Sequence, residues 1–211
     1  MNEKPYIPII EKLNNDKNPN FYICGNGYIA PLDIKSLKKI SNTEKKNLQR
    51  VFKMMDKDNT GKISVSNLHD ILHKYNYKIS KSEVERMIWE FDDNMDNCLD
   101  YDEIYFLYLR CVNDKKKQIP SDLYNIIQFF MFDYEMNGYI TVEKTLQILY
   151  VRFGREKMDL EVQEIFGDKY EDESGVEKQV HLKEYLDNEK KRIRKYRLQR
   201  RNMIAYNCTY T

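Results

Sequence analysis

The stretch that decides the fold is Asp92-Asp93-Asn94-Met95-Asp96-Asn97-Cys98-Leu99-Asp100-Tyr101-Asp102-Glu103. Oxygen-bearing side chains fall at its first, third, fifth, ninth and twelfth places, and an apolar residue stands eighth. It follows a run in which Val84, Met87, Ile88 and Phe91 recur at helical spacing, so an amphipathic helix leads into it. The same order occurs twice more. Leu48, Val51, Phe52 and Met55 precede DKDNTGKISVSN, which begins at Asp56, and Leu123, Ile126, Ile127 and Phe130 precede DYEMNGYITVEK, which begins at Asp133. The three starts are 36 and 41 residues apart. Helix, acidic loop and helix repeated at near-regular spacing reads as one supersecondary unit used several times.

Working outward, Ile63, Leu99 and Ile140 hold the eighth place of the three loops and suit short strands that pair one loop with another. Ser41 and Glu44 fit a capping box that starts the first helix. A fourth copy is degraded. Val162, Ile165 and Phe166 give its incoming helix, Val180 its eighth-place residue and Leu182 the start of its outgoing helix, but GDKYEDESGVEKQ is too long for a twelve-residue loop. Across about residues 41–190 these repeats resemble the EF-hand superfamily. The resemblance implies an all-α fold of two EF-hand lobes, with four helix-loop-helix units and short loop-loop β pairing. We expect an N-terminal arm over 1–40, lobe one over 41–111, a linker over 112–120 (polar and closed by Pro120), lobe two over 121–190 and a basic C-terminal tail over 191–211. The arm carries Pro5, Pro8, Pro19 and Pro31 and does not read as a regular helix.

Calcium takes six to eight oxygens, and an EF-hand loop supplies them from places one, three, five, seven, nine and twelve. The second loop meets this requirement with Asp92, Asn94, Asp96, the carbonyl of Cys98, Asp100 and Glu103. Asn97 replaces the usual glycine at the sixth place and tolerates the left-handed backbone needed there. Carboxylates gathered at one point repel one another unless a cation joins them. The first loop is half complete: Asp56, Asp58, Thr60, Lys62 at the carbonyl position and Ser64 are in place, but Asn67 stands twelfth and lacks the bidentate carboxylate. The third loop has Asp133, Glu135, Asn137 and Gly138, but Lys144 stands twelfth. One calcium site is therefore expected, with magnesium able to occupy it at rest.

Composition narrows the function classes. Lys and Arg (35) nearly balance Asp and Glu (34), which argues against a general nucleic-acid binder. No segment approaches the ~18 apolar residues of a membrane span, and the N-terminus lacks the apolar run of a signal peptide, so an intracellular, cytoplasmic protein is expected. Cys24, Cys98, Cys111 and Cys208 form no CxxC pair and read as free thiols. Gly25, Gly27 and Ala30 fit GxGxxA, but Pro31 follows and no βαβ pattern surrounds them, so they read as a turn. His69 and His73 share a helix face without a third zinc ligand. No nucleophile–base pairing can be assembled, and the chain reads as non-enzymatic.

Two further features point to partners. Phe129, Phe130, Met131 and Phe132 cover more than one face of a helix, so part of the run should meet something beyond its own lobe, either the other lobe or a bound partner. Lys190, Lys191, Arg192, Arg194, Lys195, Arg197, Arg200 and Arg201 place eight positive charges in twelve residues, which suits an acidic surface: an acidic protein partner, tubulin or anionic lipid. Trp89 before the second loop, Cys98 within it, the Asn113-Asp114-Lys115 linker and Tyr150-Val151-Arg152-Phe153-Gly154-Arg155 are similar to axonemal EF-hand proteins of the outer dynein arm docking-complex type. That resemblance covers about residues 87–167. It implies a cytoskeletal subunit, in a cilium or another microtubule array, bound to coiled-coil or helical partners. A diffusible calmodulin-like sensor, or a regulatory subunit of a kinase or phosphatase, is the alternative.

Overall fold

The computed structural model describes residues 22–23, 29–30, 40–114, 122–167 and 176–209. Cα proximity divides the chain into two compact units, Met1–Lys115 and Lys116–Thr211. In the first, strands β1 (Tyr22–Ile23) and β2 (Ile29–Ala30) pair antiparallel. Of the rest of the N-terminal arm only Ile40, which is buried, is described, and the Gly25–Gly27 turn lies outside the described residues.

Helices α1 (Asn42–Met55), α2 (Val65–Lys74), α3 (Lys81–Trp89) and α4 (Tyr101–Asn113) follow, with β3 (Lys62–Ser64) and β4 (Cys98–Asp100) in the loops between them. The start of each helix is written locally. Ser41, Ser64, Ser80 and Asp100 are N-caps whose side chains accept from the amides of Glu44, Asn67, Glu83 and Glu103, and those third residues reach back to close capping boxes. The periodic residues Leu48, Val51, Met55, Leu68, Leu72, Val84, Ile88 and Leu107 are all buried. Ile63 and Leu99 face each other at the centre of the antiparallel β3–β4 pair, so the two loops are tied together back to back. Inside this core the Tyr108 hydroxyl donates to Glu44 Oε1 at 3.3 Å, joining the last helix to the first.

The α4 helix runs to Asn113, whose side-chain amide donates to the Leu109 carbonyl at 2.8 Å. The first two residues of the expected linker are therefore helical, because that bond prolongs the last turn. Residues 115–121 lie outside the described residues.

The second unit holds α5 (Asp122–Phe132), β5 (Tyr139–Ile140), α6 (Val142–Phe153), α7 (Arg155–Phe166), β6 (Val180–His181) and α8 (Leu182–Thr209). Gly154, at φ 72°, lets the chain pass from α6 straight into α7. Ile140 pairs with Val180 in the antiparallel β5–β6 ladder, the register expected from the eighth places. All four residues of the aromatic run, Phe129 to Phe132, are buried. Phe129 and Phe132 both meet Tyr185 of α8, at 5.6 and 6.3 Å between ring centroids. Phe129 and Phe132 thus pack on an aromatic of their own unit. Among the described residues no helix is long and apolar enough to cross a membrane.

Candidate calcium site

The first residue of each loop does the same work in all three. Asp92 accepts from the amides of Asp96 (3.2 Å) and Asn97 (2.8 Å). Asp56 accepts from Thr60 (3.0 Å) and Gly61 (2.8 Å), and Asp133 from Asn137 (2.9 Å) and Gly138 (2.8 Å). Each carboxylate so folds its loop around the fifth and sixth amides. The sixth residues Gly61, Asn97 and Gly138 all have positive φ (79°, 61° and 87°). So do the fourth residues Asn59, Met95 and Met136 (52°, 59° and 57°), a shared strain that nothing in the sequence announces.

In the second loop the remaining expected ligands are turned to backbone donors. Asn94 Oδ1 accepts from the Asp96 amide and Asp96 Oδ1 from the Cys98 amide, both at 2.9 Å. Asp100 caps α4 by accepting from the Glu103 amide at 2.9 Å. Glu103 spans the loop. Its Oε1 accepts from the amides of Asp93 (2.9 Å) and Asn94 (3.4 Å), and its Oε2 from that of Asp100 (2.9 Å). The side chain is 1% exposed, and burial is the main cause that pushes its pKa up to about 7. Burial likewise raises the Cys98 thiol, helped by the charge of Asp96. Among the described residues no three Asp, Glu, His or Cys side chains form a ready-made metal cage. The donors are nonetheless hard oxygens at the required places, and a buried carboxylate held only by amides is chemistry that a divalent cation suits. The residues fit calcium, which would gather oxygens now bonded to amides.

The other loops have closed on internal partners. In the first, Asn67 at the twelfth place donates from Nδ2 to Asp58 Oδ2 at 2.9 Å. Its Oδ1 accepts from the Ser64 amide and hydroxyl, and the Thr60 hydroxyl is within 3.2 Å of the Lys62 carbonyl. Asp58, Thr60, Ser64 and the Lys62 carbonyl, expected as weak ligands, are thus hydrogen-bonded within the loop. The Lys62 side chain leaves it altogether, its Nζ lying 2.5 Å from Asp96 Oδ2. In the third loop Lys144 Nζ, at the twelfth place, lies 2.7 Å from Glu135 Oε2 and 4.8 Å from the Tyr139 ring centre. In the fourth copy, counting from Val180 puts Glu184 twelfth, and Lys178 Nζ lies 2.9 Å from its Oε1. Glu177 Oε1 accepts from the Glu143 amide at 2.7 Å, in the first turn of α6. The Val180 register was the sequence signal for Glu184, and the length of the preceding segment hid it.

The basic residues of α8 divide in two. Arg192 is drawn into the second unit by Glu161 (2.9 Å), Glu164 (3.0 Å) and Glu189 (3.2 Å), so it is a structural residue where the sequence suggested a partner contact. Lys190 lies 3.8 Å from Asp122. Lys191, Arg194 and Lys195 are exposed. The side chains of Arg197, Arg200 and Arg201 lie outside the described residues. Trp89, at the end of the helix that leads into the second loop, is 50% exposed.

This geometry agrees with comparison against known proteins. A family profile described as an EF-hand domain pair matches residues 45–109. Those residues form an EF-hand pair. EF-hand domains bind Ca2+. The chain is 33% identical over 102 residues to calmodulin-like protein 2 of Arabidopsis thaliana, covering 48% of this chain and 64% of that protein. It is 30% identical over 110 residues to calcium-dependent protein kinase 3 of Oryza sativa subsp. japonica, covering 52% and 19%. It is 28% identical over 104 residues to troponin C isoform 1 of Balanus nubilus, covering 49% and 65%. The chain therefore spans less than two thirds of each of these relatives.

Proposed function

We propose that this chain is a non-catalytic EF-hand subunit with one calcium loop, Asp92–Glu103, that grips helical or coiled-coil segments of a microtubule-associated assembly of the dynein-docking kind. The observation that carries the calcium reading is the contrast at the twelfth place. Glu103 is a buried carboxylate bonded to amides, whereas Asn67 and Lys144 donate to a carboxylate of their own loop. Asp92, Asn94, Asp96, Asp100, Glu103 and the Cys98 carbonyl would hold the ion. The ion's charge would offset the repulsion among these carboxylates, and Glu103 would turn from the amides it accepts from to supply both of its oxygens. Magnesium can occupy the loop at rest.

The microtubule part of the reading rests on the resemblance across 87–167 and on the exposed Lys191, Arg194 and Lys195 of α8. On this reading the protein would work in the cytoskeleton, in a cilium or another microtubule array. The test is co-sedimentation with microtubules at low and high salt. Neutralising Lys191, Arg194 and Lys195 to Gln leaves the Arg192 network in place, which deletion of the tail would not. Loss of salt-sensitive binding supports the role, and undiminished binding removes it.

The identities to calmodulin-like protein 2 and troponin C favour a second reading, a diffusible calmodulin-like sensor. The match to calcium-dependent protein kinase 3 adds the variant of a kinase regulator. Affinity capture with and without calcium separates them. Tubulin or axonemal chains support the first reading, many unrelated targets the sensor, and one catalytic chain the regulator.

A further inference from the structure

The side chain of Lys62, in the first loop, reaches into the second. It stands at the seventh place of a loop whose own oxygens are hydrogen-bonded internally, and β3–β4 pairing sets it opposite Asp100. From there its ammonium lies 2.5 Å from Asp96 Oδ2, while Asp96 Oδ1 accepts from the Cys98 amide. Both oxygens of the fifth-place ligand are therefore occupied, one of them by a cation supplied in trans by the neighbouring loop.

We infer that Lys62 is an internal competitor of calcium, which sets the affinity of the Asp92–Glu103 loop by holding Asp96 until the ion displaces it. The inference rests on the reading of that loop as the calcium site. Two like charges cannot share one carboxylate at close range without cost, so ion and ammonium exclude each other in part. Coupling of this kind is reciprocal: whatever the lysine takes from calcium affinity, calcium takes from the lysine's hold on Asp96. The first loop would thus keep a role in calcium control without binding calcium.

The test is calorimetric titration of the full chain with calcium, comparing the wild type with Lys62→Met and Lys62→Arg. Removing the charge should raise affinity about two- to fivefold, the range set by an exposed ion pair, and arginine should leave it near the wild-type value. A second readout is the reactivity of the Lys62 amine toward reductive methylation, followed by peptide mass mapping. Calcium should raise it by releasing the amine. Calcium binding with equal affinity in the wild type and Lys62→Met overturns the inference while the calcium loop stands. Absence of calcium heat in all three proteins overturns the loop reading and the inference together.

Discussion

Lys144 Nζ lies 2.7 Å from Glu135 Oε2, so an ammonium at the twelfth place of the third loop holds the carboxylate at its third. Asn137 donates to the same oxygen at 2.8 Å. The pair raises the lysine's pKa and lowers the glutamate's, each through the hydrogen bond between them, and both stay charged at neutral pH. The third loop carries its own counter-cation within its sequence.

Replacing that cation should therefore create a second site. In Lys144→Glu, the new carboxylate joins Asp133, Glu135 and Asn137 with the positive-φ Gly138 already in place. Calorimetry should show a calcium stoichiometry one higher than that of the wild type. The calcium-free variant should melt at a lower temperature, because the ammonium that joined Glu135 is gone and a like charge stands near it.

Glu103→Gln should weaken calcium binding by at least about tenfold, because the bidentate carboxylate supplies both charge and two oxygens. Trp89 fluorescence reports it, since this half-exposed tryptophan ends the helix leading into the loop. Without calcium at pH 8, the variant is relieved of a buried charge but turns an NH2 toward one of the backbone N–H donors that Glu103 accepts from, so its stability should stay within about 1 kcal/mol of the wild type in thermal melts.

The pKa of Glu103 also gives calcium binding a pH dependence. Its folded calcium-free value of about 7 stands above the ordinary glutamate value of 4.5, so the folded loop holds a proton that the unfolded chain has lost. This contribution to calcium-free stability is complete below about pH 4.5 and is lost as pH rises through about 7. Calcium binds the deprotonated form, so its affinity should run the other way. Titrations at pH 8 and pH 6 should show weaker binding at the lower pH, with proton release seen as a buffer-dependent heat. Equal affinities at the two values would show that Glu103 is not the group that titrates.

Arg192→Ala should destabilise the second unit by about 3 kcal/mol, because three carboxylates lose their common partner in a largely buried place. Lys191→Ala, on the exposed side of the same helix, should change stability by no more than about 0.5 kcal/mol. Thermal melts of the two variants separate the structural charge from the exposed one.

The pattern of the fold was legible because its signals are short-range. Ser41 with Glu44 starts α1, and the apolar spacing from Leu48 to Met55 gives its buried stripe. The eighth-place residues named both strand pairings, Ile63 with Leu99 and Ile140 with Val180, since a repeated loop presents the same backbone atoms each time. The fate of Phe129 and Phe132 was not legible, because Tyr185 reaches them from more than fifty residues away in the chain.

The sequence by itself determined the repeated unit, the helix caps and the one loop with oxygen at every required place. These follow from residue type at fixed spacing, and spacing within a helix or turn is set by backbone geometry alone. Only the tertiary structure decided where the charges go. Lys62 meets Asp96 because β3 and β4 lie side by side, and Arg192 leaves the basic surface because α8 runs beside Glu161 and Glu164 of α7. A long flexible cation finds its partner through space, and its position in the chain does not say which carboxylate the fold will bring within reach.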